Sequence, residues 1–323
     1  MERMMTVLRT NTFAFALVLA IALLIANILV LPAFGDPSTY ETTLAGLAPF
    51  ALVAMASTPQ IMSGGGGIDV SIGPLVGLIG VVYAVYLQPH GLGGPELAIP
   101  IGVLLGAGVG VLNGFNIAVL RYQPVIATLC MYFILGGVSQ WILPAAQSTQ
   151  GGWTDHLAGS LGPIPYGLIL ILIPLGVWAV LRRRTSYVRT LQAVGGSDRA
   201  ALTAGINVVR VRLIAYGLGG AIAAVAAFAL IGLTRGADPT IGQQYTLVGI
   251  AAVSLGGTVM NGSRGGMLGG VFGAACIFLI QNLLSNLGVA PTWFQVAYGG
   301  VLVGAVVLSS RFASTGRRKE ALA

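Results

Sequence analysis

Stretches of about twenty mainly apolar residues recur along this chain, and that recurrence constrains it more than any other feature. A helix that crosses a bilayer needs about 20 predominantly apolar residues, and the template fits ten times, at roughly 11–34, 43–62, 70–87, 97–120, 124–144, 164–181, 213–233, 244–260, 266–286 and 293–310. The first is too long for the apolar core of a cleaved signal peptide. Only 8% of the 323 residues are charged, whereas a soluble domain carries about 25%. So little charge cannot clothe a water-facing surface of this size. The expected fold is all-α: a polytopic membrane helix bundle of about ten transmembrane helices, with 1–323 forming a single transmembrane domain.

Charge placement gives the expected orientation. With the N-terminus inside, fifteen of the 16 cations fall inside and Arg235 alone falls outside, together with Asp36, Glu41, Glu96, Asp155 and Asp238. An excess of Lys and Arg marks cytoplasmic loops. Both termini are therefore expected in the cytoplasm, with 182–212 a cytoplasmic loop rich in arginine and 312–323 a polar cytoplasmic tail. Trp141, Trp153 and Trp293 then lie near the outer interface and Trp178 near the inner one, where indole rings prefer to sit. The net charge of +7 could suggest nucleic acid, but a basic groove needs a folded polar surface to carry it. No nucleic-acid partner is expected.

Several kinds of chemistry are ruled out by missing residues. No stretch between spans exceeds about 31 residues, too few for an independently folded domain. The single lysine, Lys319, lies in the tail, so there is neither a phosphate-binding loop with its lysine nor a buried Schiff-base lysine. His90 and His156 stand in short loops without metal-spaced partners. Cys130 and Cys276 fall inside predicted spans, where a thiol behaves as a small apolar group. The chain is read as having no catalytic residue, no metal site and no bound cofactor.

The glycines are patterned. Gly102, Gly106, Gly110 and Gly114 recur every fourth residue in the fourth span, Gly265, Gly269 and Gly273 do so in the ninth, and Gly73 and Gly77 open the third. Such series form smooth helix faces against which another backbone packs closely. Two glycine-rich breaks interrupt the apolar pattern, SGGGGIDVSIG at 63–73 and LGGTVMNGSRGGMLGG at 255–270. Each precedes a span with a small-residue face, which hints at an internal repeat. Four successive glycines do not hold a helix, and unwound backbone at membrane depth is tolerated only inside protein or beside a cavity. Asp69 and Ser71 either cap the third span or stand at the mouth of a translocation path. Gln60, Asn113, Asn116, Gln244, Tyr245, Gln281 and Asn282 are the other polar side chains singled out in the spans. They suit a neutral hydroxylated solute, and equally suit interhelical hydrogen bonds; convergence on one place would decide for the path.

Within the 182–212 loop, Ser197 is a good helix N-cap, Asp198 suits the positive helix start and Gly205 a C-terminal stop. They bracket a two-turn helix at 199–204. So short a helix is marginal alone in water, so it is expected to dock on something, either the chain's own membrane face or a partner.

Four motifs together carry a resemblance: GGIDVSIG at 66–73, QPVIATL at 123–129, LQAVGGSDRAALTAGI at 191–206 and SLGGTVMNGSRGGMLGG at 254–270. In this order and at these spacings the chain resembles the transmembrane permease subunits of bacterial ABC importers of the ribose, galactofuranose and autoinducer-2 type, whose wider relatives import branched-chain amino acids and nucleosides. The resemblance implies a permease in the bacterial inner membrane that performs no covalent chemistry. It implies a second permease subunit, a cytoplasmic ATPase that binds ATP and magnesium, a periplasmic substrate-binding protein, and a sugar or similar small polar solute. It also implies that Ala193, Gly195, Gly196, Asp198, Ala201 and Gly205 belong to a coupling helix that seats in the ATPase. The alternatives are an ion-gradient-driven secondary transporter, which would want an embedded carboxylate pair where Asp69 stands alone, and a membrane-embedded enzyme, which would want a catalytic constellation.

Overall fold

A computed structural model describes residues 13–149, 151–300 and 303–304. Its helices are α1 (Ala14–Val30), α2 (Tyr40–Met62), α3 (Ile72–Val82, continued by a π turn at Tyr83–Leu87), α4 (Pro95–Ala118), α5 (Pro124–Ile142) and α6 (Tyr166–Arg184). After them come α7 (Tyr187–Gly196), α8 (Asp198–Thr203), α9 (Val208–Thr234), α10 (Gln243–Leu255) and α11 (Met267–Asn286). Residues 292–300 are helical as well, and the rest of the tenth predicted span lies mostly outside the described residues, as does the 312–323 tail. Sheet is limited among the described residues to two short antiparallel pairs: β1 (Gln147–Ser148) with β4 (Gly236–Ala237), and β2 (Ser160–Leu161) with β3 (Ile164–Pro165).

Among the described residues six helical segments are long and apolar enough to cross a membrane: Pro37–Met62, Pro95–Ala118, Pro124–Ile142, Tyr166–Arg184, Val208–Thr234 and Met267–Asn286. Ala14–Val30 and Ile72–Leu87 are shorter apolar helices. The first predicted span thus yields 17 helical residues followed by two 3-10 turns, and the eighth stops at Leu255, where Gly256 and Gly257 open the second break. Helix starts follow local chemistry. Pro95 and Pro124 take first-turn positions, where a missing N–H costs nothing, and Arg182, Arg183 and Arg184 close α6 against its negative end.

Burial separates centre from rim. The apolar window of α2 is 83% buried and that of α9 78%, against 22% for α6. Helices hydrophobic all round must be buried in protein or in lipid. Accordingly α2 and α9 form the core with α3 and α10, while Leu104, Phe133, Trp141 and Val180 are exposed on α4, α5 and α6. α9 packs along α4 through the first glycine series: a β-carbon at Gly106 would strike the Gly220 carbonyl, and one at Gly110 the Tyr216 carbonyl. Gly269 and Gly273 of α11 meet Gly256 and Ala252 at the same intimacy. Gly265, expected on that helix face, instead lies in the break with φ +143° against Thr258. At the far end of α9 the connecting segments are knitted together, Thr149 N–H donating to Arg235 O at 3.1 Å and Trp153 Nε1 to Gly93 O at 2.6 Å.

Candidate functional site

The first break is built by three consecutive left-handed glycines, Gly64, Gly65 and Gly66, at φ +73°, +65° and +72°, a conformation that other L-residues resist. They turn the chain after α2, and residues 67–71 then run between four helices. Asp69, only 4% exposed, is the centre. Its Oδ1 accepts from Ser71 N at 2.9 Å and Ser71 Oγ at 2.6 Å, and its Oδ2 from Gln60 Nε2 at 3.2 Å and Asn113 Nδ2 at 3.4 Å. Asn113 Nδ2 also donates to Ser71 Oγ at 2.8 Å. Donors from α2 and α4 thus share one carboxylate with the break's own turn. Asp69 engages the N–H of Ser71, the residue that precedes α3, while Ser71 makes no side-chain cap, so capping explains only part of the pair.

Four of the nine polar candidates therefore converge, Gln60, Asp69, Ser71 and Asn113, and all four are buried. The other five do not join them. Asn116 is half-buried one turn further along α4, and Gln244 is exposed. Tyr245 packs edge-on against Phe50, with ring centroids 5.2 Å apart. Gln281 accepts from Tyr298 Oη, and Asn282 Oδ1 accepts from Asn286 Nδ2 at 2.8 Å. Two threonines not anticipated from sequence complete the cradle. Thr128 of α5 accepts from Val70 N and donates to Ile68 O, each at 3.3 Å, and Thr246 of α10 donates to Val70 O at 3.3 Å. Three buried oxygens here have no hydrogen-bond partner: Gln60 Oε1, Asn113 Oδ1 and Tyr216 Oη.

The 182–212 loop holds two helices. Unforeseen α7 buries Val188, Leu191 and Val194, one apolar stripe at a spacing of three that the sequence does carry. α8 has the caps expected: Ser197 Oγ accepts from Ala200 N at 3.3 Å, and Gly205, at φ +78°, ends it with Ile206 N–H returning to Ala201 O at 2.9 Å. Its first residue is Asp198, one before the predicted start. Of the six coupling candidates, Ala193, Gly196 and Gly205 are exposed, Gly195 and Ala201 are buried, and Asp198 pairs with Arg212 at 2.9 Å. The outward side of α8 instead carries Leu202, 59% exposed.

Both breaks and this loop meet at one point. A β-carbon at Gly64 would lie 2.7 Å from Gly195 Cα, and one at Gly262 would lie 2.6 Å from Gly64 Cα and 2.8 Å from Gly195 O. One at Gly195 would run into Met62 O and come 2.5 Å from Ser263 N. Three backbones from distant parts of the chain touch where none has a side chain.

The chain matches, over residues 39–307, the family described as the permease component of the branched-chain amino acid transport system. It is 33% identical to the ribose import permease protein RbsC of Bacillus subtilis, across 87% of each chain. It is 30% identical to the fructose import permease protein FrcC of Rhizobium meliloti, across 90% of this chain and 83% of that one. It is 31% identical to the probable ABC transporter permease protein YphD of Escherichia coli, across 92% and 89%. No solved structure matches it. With six long apolar helices among its described residues, this multi-pass membrane protein belongs to the branched-chain amino acid transport permease family.

Proposed function

We propose that this chain is the membrane-spanning permease subunit of an ATP-binding-cassette importer for a sugar or similar small polar solute. Its relatives named for ribose and fructose import support the solute class. The observation that carries the coupling is the glycine junction: the loop with α7 and α8 rests by Gly195 on both helix breaks at once, so a displacement of that loop reaches Gly64 and Gly262 together. On this reading a partner ATPase, which holds the ATP and magnesium, seats on the outward side of the loop, at Ala193, Gly196, Leu202 and Gly205. Gly195, Asp198 and Ala201 transmit the motion inward. A bistable packed element of this kind turns a small displacement into a change of access.

The remaining parts follow the same reading. About ten spans place both termini in the cytoplasm of a bacterium, the protein sits in the inner membrane, and a second permease subunit completes the path. A periplasmic binding protein delivers the solute. Gln60, Asp69, Ser71 and Asn113 guard the inner end of the path, and Asn116, Gln244, Tyr245, Gln281 and Asn282 supply polar contacts elsewhere along it. The test is Leu202→Asp. An exposed side chain away from packing contributes within about 0.5 kcal/mol, so the melting temperature is expected to hold while ATPase co-purification and ATP-dependent uptake are lost. Retention of both by Leu202→Asp removes the docking assignment.

A further inference from the structure

Asp69 has four donors but no cation. Among the described residues the one ion pair joins Arg212 to Asp198, and the charge of Asp69 is held by a serine and by amides from two different helices, α2 and α4. Movement of the break away from either helix strips donors from a carboxylate that water does not reach. A buried charge that loses its partners is strongly destabilising.

Arg212 is the cation in position to compensate. It is the one arginine among the described residues that is not exposed. Its guanidinium already lies on the break, where a β-carbon at Gly65 would come 2.7 Å from Nη2. Four residues on, and so on the same face of α9, buried Tyr216 is within electrostatic reach of both Arg212 and Asp69, and its hydroxyl is unpartnered. The present partner of Arg212 is looser, for the Asp198 side chain is 44% exposed, and half-exposed pairs contribute little.

We propose that Arg212 is a two-position latch, paired with Asp198 while α8 sits against α9 and with Asp69 once α8 is displaced. The buried carboxylate then gains a cation as it loses its amide donors. The exchange is a property of this chain alone; only the agent that displaces α8 rests on the importer reading.

Asp198→Asn releases Arg212 without any partner protein, so the full-length chain in detergent tests the exchange. Asp69→Asn is expected to lower the melting temperature further in the D198N background than in the unaltered chain, and this coupling is expected to vanish when Arg212→Gln is added. Additive effects, or coupling that survives R212Q, overturn the proposal. A second measurement needs no change at Asp69: arginine-specific labelling with phenylglyoxal, read at Arg212 by mass spectrometry. Labelling should fall in D198N as the guanidinium moves inward; a rise, showing a side chain released to solvent, overturns the latch as surely. In vesicles holding the chain with its ATPase, D69N and R212Q should each reduce uptake at least about tenfold, and the double variant no further. No ATP-driven uptake by the unaltered complex would count against the importer reading and leave the two measurements on the chain alone to decide the latch.

Discussion

The break at 63–71 and the break at 256–266 each follow a buried helix, run on glycine and lead into a helix whose small residues pack on α10 or its N-terminal edge. They are held in different ways. The first is fixed from outside, by Gln60 of α2, Asn113 of α4, Thr128 of α5 and Thr246 of α10. The second closes largely on itself, with Val259 N–H donating to Arg264 O at 3.0 Å and Gly262 N–H to Val259 O at 2.9 Å. Its external tie is Ser263 N–H to Met62 O at 3.4 Å. Arg264 is exposed, and no carboxylate lies in that segment. A break wired to four helices registers their relative movement. A self-contained turn travels as a unit.

The contrast can be broken or sharpened by substitution. Asp69→Ala should have the largest effect, because it orphans the buried donors of Gln60 and Ser71, each costing about 1–3 kcal/mol, while Asn113 keeps its bond to Ser71 Oγ; thermal unfolding of the detergent-purified chain reads the loss. Gly195→Ala comes next. Its methyl group meets the Met62 carbonyl at the end of α2, where the first break begins, and the Ser263 N–H of the second break, and overpacking of this kind costs about 1–3 kcal/mol; limited proteolysis should then show cleavage rising in both segments. Gly65→Ala forces a side chain into a left-handed residue beside Arg212, a cost of about 1–2 kcal/mol, and proteolysis should rise in the first segment alone. Thr258→Val should not lower stability, since the hydroxyl it removes is buried and unpartnered and an unsatisfied buried polar group is itself a cost. A second-break variant as damaging as Asp69→Ala would erase the distinction.

What the sequence made readable was local. Ser197 and Gly205 bracket α8 because caps are written in adjacent residues, and the four successive glycines announced the first break. The Gly265, Gly269, Gly273 spacing misled at its first member, because a repeat of four does not report whether the backbone is helical. Thr128 and Thr246 passed unnoticed: a threonine in an apolar helix ordinarily bonds its own preceding turn, as Thr128 also does to Pro124 O at 2.9 Å, and their partners lie 60 and 176 residues away. Which amides converge depends on the rotation of each helix about its axis. In helices apolar on every side, no stripe reveals that rotation.

The contact between α4 and α9 bears on how the chain is made. Gly106 and Gly220 touch backbone to backbone, yet more than a hundred residues separate them. At translation rates of about 5–20 residues per second, α4 waits on the order of ten seconds in the bilayer before its counterpart emerges. During that wait its grooved side faces lipid or a chaperone rather than protein, and its apolar length alone keeps it inserted. One of the tightest seams of the bundle is thus closed late in biogenesis, and substitutions there should reveal themselves as nascent chains degraded before completion of folding rather than as finished protein that works poorly.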